Sequence, residues 1–153
     1  MTLDRSGDPV EILLVEDNPG DVRLTEEALK ELRITNELHV VTDGPDALDF
    51  LFERDGYESA PAIDLVLLDL NLPRMDGIEV LKEIKSDPDL KRTPVIILTS
   101  SSAEEDVVRS YENYTNAYVT KPVDPNQFVD VIRSLEEFWF TIVRSPPPRD
   151  GDR

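Results

Sequence analysis

Five short apolar runs, each followed by a segment of helical periodicity, constrain this chain more than any other feature of it. The runs are Val10–Val15 (VEILLV), Leu38–Val41, Ile63–Leu68 (IDLVLL), Val95–Leu98 (VIIL) and Ala117–Val119. Mostly apolar rather than alternating runs indicate strands buried on both faces. Between and after them, Val22–Leu32, Asp46–Phe52, Ile78–Ile84, about 103–114 and Pro125–Val143 read as helices. The first carries Val22, Ala28, Leu29 and Leu32 on one face, with Thr25 as a polar interruption, and the third carries Ile78, Leu81 and Ile84. Strands alternating with helices imply βαβ crossovers, hence an α/β fold with a parallel sheet and helices on both faces.

Helix starts are marked by Asp76-Gly77, by Ser102 and by Asp124-Pro125, where a capping acid precedes a proline at the first helical position. At 153 residues the chain suits one domain. Residues 10–143 are expected to form it, behind a short arm at 1–9 and ahead of a tail, Arg144–Arg153 (RSPPPRDGDR), whose proline-rich polar composition predicts disorder. No internal repeat is visible.

Composition removes whole classes of chemistry. Cysteine is absent, so disulfide scaffolds, thiolate metal sites and thiol nucleophiles are excluded together. A single histidine, His39, leaves no histidine metal cluster and little room for a Ser-His-Asp triad. No run approaches the roughly 18–20 apolar residues of a membrane span. The opening MTLDRSGDPVE lacks a signal-peptide core, so a cytoplasmic location is expected. The formal net charge of −17 disfavours direct contact with nucleic acid. With 11 Arg and only 5 Lys, the acidic surface suits a halophilic cytoplasm, with an acidic mesophilic protein as the alternative. In molar salt the screening length falls to about 3 Å and carboxylate repulsion is damped.

In an open parallel α/β sheet, ligands gather outside the carboxyl ends of the strands. Glu16 and Asp17 are expected after the first strand, Asp69 after the third, Thr99 after the fourth and Lys121 after the fifth. Each alone has an ordinary explanation: about seven adjacent acidic pairs arise by chance in so acidic a chain, Asp69 could cap a loop, Thr99 could cap a helix and Lys121 could be a solvated charge. Together they would bring three carboxylates, a hydroxyl and an ammonium to one edge. The combination decides.

The stretch Asp69–Gly77 (DLNLPRMDG) after LVLL resembles the phosphoacceptor loop of response-regulator receiver domains. The resemblance continues through LLVEDNPGD at 13–21, ILTSS at 97–101 and AYVTKPVD at 117–124, covering roughly residues 10–143. The TSSSAEEDV stretch, FERDGYESAPAID and SLEEFWF look most like the single-domain, CheY-like regulators paired with bacterial phytochrome-type sensor kinases. The resemblance implies a flavodoxin-like (βα)5 fold with strand order 2-1-3-4-5. It also implies a two-component signalling role without an attached output domain: a receiver that catalyses only its own phosphorylation and dephosphorylation. Asp69 would take a phosphoryl group from a sensor histidine kinase or a phosphotransfer protein, giving an acyl phosphate. Asp17, Asp69 and the backbone carbonyl of Asn71 would ligate Mg²⁺, with Glu16 acting through a water, an oxygen-only set that suits this cation. Lys121 and Thr99 would hold phosphoryl oxygens, and amides after Asp69 and near Ser100 would donate to the rest. Crowding of three carboxylates should raise at least one pKa in the absence of metal.

By the same resemblance, Tyr118 would rotate inward as Thr99 moves, repacking the face of the fourth helix, fifth strand and fifth helix, with a plain sheet aromatic as the alternative. The Lys121-Pro122 peptide would be cis. Phe128, Ile132, Leu135, Trp139 and Ile142 fit a core-facing stripe, whereas Phe138, Phe140 and Val143 fall outside it. That apolar patch reads as a homodimer or partner interface, with packing of the tail onto the domain as the alternative. The chain departs from the usual family pattern at Glu16, which replaces an Asp, and at Asn113–Asn116, where a glycine-containing turn is usual. His39 is expected to be structural. Three other roles compete: a phosphorelay intermediate, a haloacid-dehalogenase-type phosphatase and a phosphorylation-independent binding module. The second would need an acid where Asn71 stands; the third predicts loss of the acidic and lysine positions, which are all filled.

Overall fold

The computed structural model describes residues 9–31, 35–99, 117–121 and 123–134. Its strands are β1 (Val10–Val15), β2 (Asn36–Val41), β3 (Leu65–Asp69), β4 (Val95–Thr99) and β5 (Ala117–Thr120). All pair in parallel, in the order β2-β1-β3-β4-β5. The helices are α1 (Pro19–Lys30), α2 (Gly44–Leu51), α3 (Gly77–Ser86) and a last helix, Pro125–Ser134.

Side chains alternate across the sheet, and each set buries against its own helical layer. Leu13, Val15, Val66, Leu68, Val95 and Ile97 join Ala47, Leu48, Leu51, Val80, Leu81 and Ile84 of α2 and α3 on one face. Ile12, Leu14, Leu65, Leu67, Ile96, Leu98 and Val119 join Ala28 and Leu29 of α1 and Phe128 of the last helix on the other. Apolar runs without alternation are therefore explained for β1, β3 and β4, which have a helical layer on both sides. Strand β2 differs from that expectation. It lies at an edge and mixes buried with exposed positions, Val40 among the exposed.

Boundaries moved where backbone pairing outran the apolar pattern. Strand β2 starts at Asn36 rather than Leu38. Asp69 and Thr99 are the last residues of β3 and β4, not the residues after them, because Asp69 pairs with Leu98 and Thr99 with Thr120. Helix α1 begins three residues earlier than its apolar face suggested. Asn18 is its cap, accepting from the Asp21 amide at 3.0 Å, and Pro19 follows as the first helical residue. Thr25 is not an interruption: it is buried, and its hydroxyl donates to the Asp21 carbonyl at 2.9 Å. Helix α2 likewise starts at its cap, Asp43, ahead of Asp46, whereas α3 starts after Asp76, as the Asp76-Gly77 pair indicated. The helix expected at 103–114, the continuation of the last helix expected over 135–143 with its aromatic residues, and the arm and tail at 1–8 and 144–153 lie outside the described residues. No helix among the described residues is long and apolar enough to cross a membrane.

Candidate functional site

The carboxyl ends of β1, β3, β4 and β5 form one rim of the sheet, and the polar residues singled out from the chain meet there. Glu16 and Asp17 follow β1, Asp69 and Thr99 end β3 and β4, and Lys121 follows β5. Asp69 is buried, and the Asn71 amide donates to its Oδ1 at 3.1 Å, which fixes the carboxylate's orientation. Just behind it stands the start of α3. A Cβ on Gly77 would lie 2.5 Å from the Asp69 carbonyl oxygen and 2.7 Å from Leu70 Cα, so only glycine allows this approach. The Gly77 amide donates to the Leu70 carbonyl at 3.1 Å, closing the loop after Asp69.

Carboxylate oxygens of Glu16, Asp17 and Asp69 all lie within 4.8 Å of one another. Such a group, hard oxygens only, could hold a divalent cation. Asp17 is exposed, whereas Glu16 is buried, so the cluster opens to solvent on the Asp17 side. Burial pushes the Glu16 carboxyl up to about 7; Lys121 pulls against this and the charge of Asp69 adds to it. Crowding thus acts as expected, but desolvation is the larger cause. The Asn18 amide also donates to Glu16 Oε2, at 3.2 Å.

The Lys121 ammonium sits amid carboxylates, with Nζ 2.8 Å from Glu16 Oε1, 3.0 Å from Asp21 Oδ2 and 3.1 Å from Asp69 Oδ2. Burial alone would lower its pKa, but Glu16, Asp21 and Asp69 outweigh that and raise it above the usual lysine value. The ammonium stays charged across the whole working range of pH. Thr99 Oγ1 is buried and finds no hydrogen-bond partner among the described residues. A sealed hydroxyl without a partner is costly unless a ligand supplies one.

Sequence reasoning missed Asp21. It was visible within LLVEDNPGD, but its place depends on α1 beginning at Pro19, which turns the first helical turn back toward the rim. The side chain of Tyr118, the Pro122 peptide and the Ser100 amide lie outside the described residues. His39 stays away from the rim, on β2, with Nε2 2.6 Å from Glu11 Oε1 and its ring tilted on Phe50.

This geometry has relatives. The family model for the response regulator receiver domain matches residues 12–133. The chain belongs to that family. Response regulator Rcp1 from Synechocystis sp. is 47% identical over 143 residues, covering 94% of this chain and 97% of the relative. The crystal structure of the Mn²⁺-bound form of Rcp1 superposes with a TM-score of 0.73, covering 90% of this chain and 99% of that one. The phosphorylated cyanobacterial phytochrome response regulator RcpA gives a TM-score of 0.73 at 44% identity, covering 88% of this chain and 96% of that one. As a receiver domain of the flavodoxin-like class, this protein is a two-component response regulator, similar to regulators associated with phytochromes.

Proposed function

We propose that this receiver accepts a phosphoryl group on Asp69 from a sensor histidine kinase or a phosphotransfer protein, in a Mg²⁺-dependent reaction. The observation that carries the reading is the meeting, at one rim of the sheet, of a buried carboxylate, an acidic pair, an ammonium and a buried hydroxyl that has no partner among the described residues. An Asp69 oxygen forms the new P–O bond, the P–N bond of phosphohistidine breaks, and its electron pair leaves with the imidazole nitrogen. Asp17, Asp69 and the Asn71 carbonyl would hold Mg²⁺, with Glu16 acting through water. When bound, the cation supplies positive charge against the phosphoryl oxygens. Lys121 neutralises one of those oxygens, Thr99 donates to another, and the Asn71 amide is already aimed at the reacting carboxylate. Transfer of this kind is mostly positioning and charge neutralisation, which is what this rim provides.

The Mn²⁺ of the Rcp1 structure and the phosphorylated state of RcpA, each a property of that protein, support the same reading here. The resemblance to phytochrome-associated regulators favours a phytochrome-type kinase as donor. The signal would leave through the face of the fourth helix, fifth strand and fifth helix, with Tyr118 following Thr99, Pro122 cis after the lysine, and a homodimer or partner docked there or on the last helix. The receiver domain would span 10–143, and its acidic, lysine-poor surface would serve a salt-rich cytoplasm. The test is Asp69→Asn with a small phosphodonor and Mg²⁺. The variant is expected to form no acyl phosphate; labelling at the wild-type level would remove Asp69 from the role.

A further inference from the structure

Each carboxylate around Lys121 stands in a different relation to the reaction. Glu16 and Asp69 belong to the three-carboxylate group suited to a cation, and Asp69 loses an anionic oxygen when it is phosphorylated. Asp21 belongs to neither. Its carboxylate accepts a hydrogen bond from Lys121 Nζ at 3.0 Å across 100 residues of sequence. Its backbone is fixed at both ends, the amide bonded to Asn18 Oδ1 at 3.0 Å and the carbonyl accepting from Thr25 Oγ1 at 2.9 Å. The Asp21 side chain is about a fifth exposed and Lys121 about an eighth, so the pair is shielded from much of the solvent that weakens surface ion pairs.

We infer that Asp21 is a positioning residue that holds the Lys121 ammonium at the phosphoryl site once metal and phosphoryl group have claimed its other two partners. The inference rests on the reading of Asp69 as phosphoacceptor. A flexible lysine stem has four rotatable bonds, and a charge placed only by ligands that come and go arrives at the transferring group unoriented. Asp21 makes the orientation a property of α1, a rigid element. Its backbone geometry puts the carboxylate beside the ammonium without placing it among the candidate cation ligands.

The measurement is the rate of Asp69 phosphorylation by a small phosphodonor at saturating Mg²⁺, for the wild type, Asp21→Asn, Asp21→Glu, Lys121→Ala and the double variant Asp21→Asn/Lys121→Ala. Asp21→Asn is expected to slow labelling by about five- to tenfold, as loss of orientation does. Asp21→Glu should restore most of the rate, because the carboxylate returns. In the Lys121→Ala background, Asp21→Asn should change the residual rate by less than about twofold, the signature of two residues acting as one. A wild-type rate in Asp21→Asn, or Asp21→Glu as slow as Asp21→Asn, overturns the inference. So does an equal slowing in both backgrounds, which would mean that Asp21 acts through the cation or the fold. Where Lys121→Ala labels too slowly to compare, the Asn and Glu variants decide. A wild type that never labels would instead sink the phosphoacceptor reading, which keeps the two failures distinct.

Discussion

Gly77 shows how closely the site depends on single atoms. The backbone of α3 comes so near to Asp69 and Leu70 that a methyl group would have to displace main chain, not a side chain. Gly77→Ala should therefore destabilise the fold by about 1–3 kcal/mol despite the better helix propensity of alanine. Urea unfolding would measure the first effect, and slower labelling of Asp69 would report the shifted loop. The candidate site was largely legible at this scale. Glu16, Asp17, Asp69, Thr99 and Lys121 were each named from the chain, and all lie at one rim. Asp21 was not, because nothing in DNPGD separates an acid at a helix start from one that reaches a lysine a hundred residues away. The weight of desolvation on Glu16 was also hidden, since a charge pattern in a sequence does not reveal depth.

Among the elements, types were readable, and so were the helix starts marked by Asp76-Gly77 and Asp124-Pro125, but most other ends were not. Caps set the true helix starts: Asn18, Asp43 and Asp76 each accept a backbone hydrogen bond one helical turn or less ahead. A reading keyed to apolar faces starts late because the first turn is polar. Asp43 carries a double load, accepting from the Asp46 amide at 2.8 Å and from Arg74 at 2.9 Å. Arg74 sits in the loop after β3 with a left-handed backbone, φ 70°. Asp43→Ala should cost about 1–2 kcal/mol through the lost cap and loosen that loop as well, which denaturant melts and amide exchange of residues 71–76 would register.

The end of α3 offers a pH test. Lys85 Nζ donates to the Lys91 and Thr93 carbonyls, at 3.1 and 2.7 Å, and burial lowers its pKa to about 8. A neutral amine still donates two hydrogen bonds, so the folded state tolerates loss of the proton. Between about pH 8 and the unfolded value near 10.5, the unfolded chain binds more protons, so this group makes stability rise with pH. Below pH 8 its contribution is flat. Unfolding of wild type and Lys85→Met across pH 7–10 should show that rise in the wild type alone, superimposed on whatever the other groups contribute to both.

At the scale of the whole molecule, a net charge of −17 sits on a sheet sealed between two helical layers. Repulsion among surface carboxylates is screened by salt, more strongly than the packing of the interior is altered by it. Thermal melts should therefore rise steeply from dilute buffer to molar KCl; equal stability in both would refute adaptation to high salt. The layered architecture could be foreseen because apolar runs without alternation require cover on two sides. The edge place of β2 followed from the family's strand order, but not from its apolar run, because LHVV has enough apolar residues to pass for an interior strand. One contact ties the scales together. The Lys121 amide donates to the Thr99 carbonyl at 2.6 Å, so the hydroxyl and the ammonium ride on main chains that are bonded to each other. A shift of main chain that carries either group toward a new anion therefore pulls on its neighbour, and so the tips of two adjacent strands should answer such a shift as one piece.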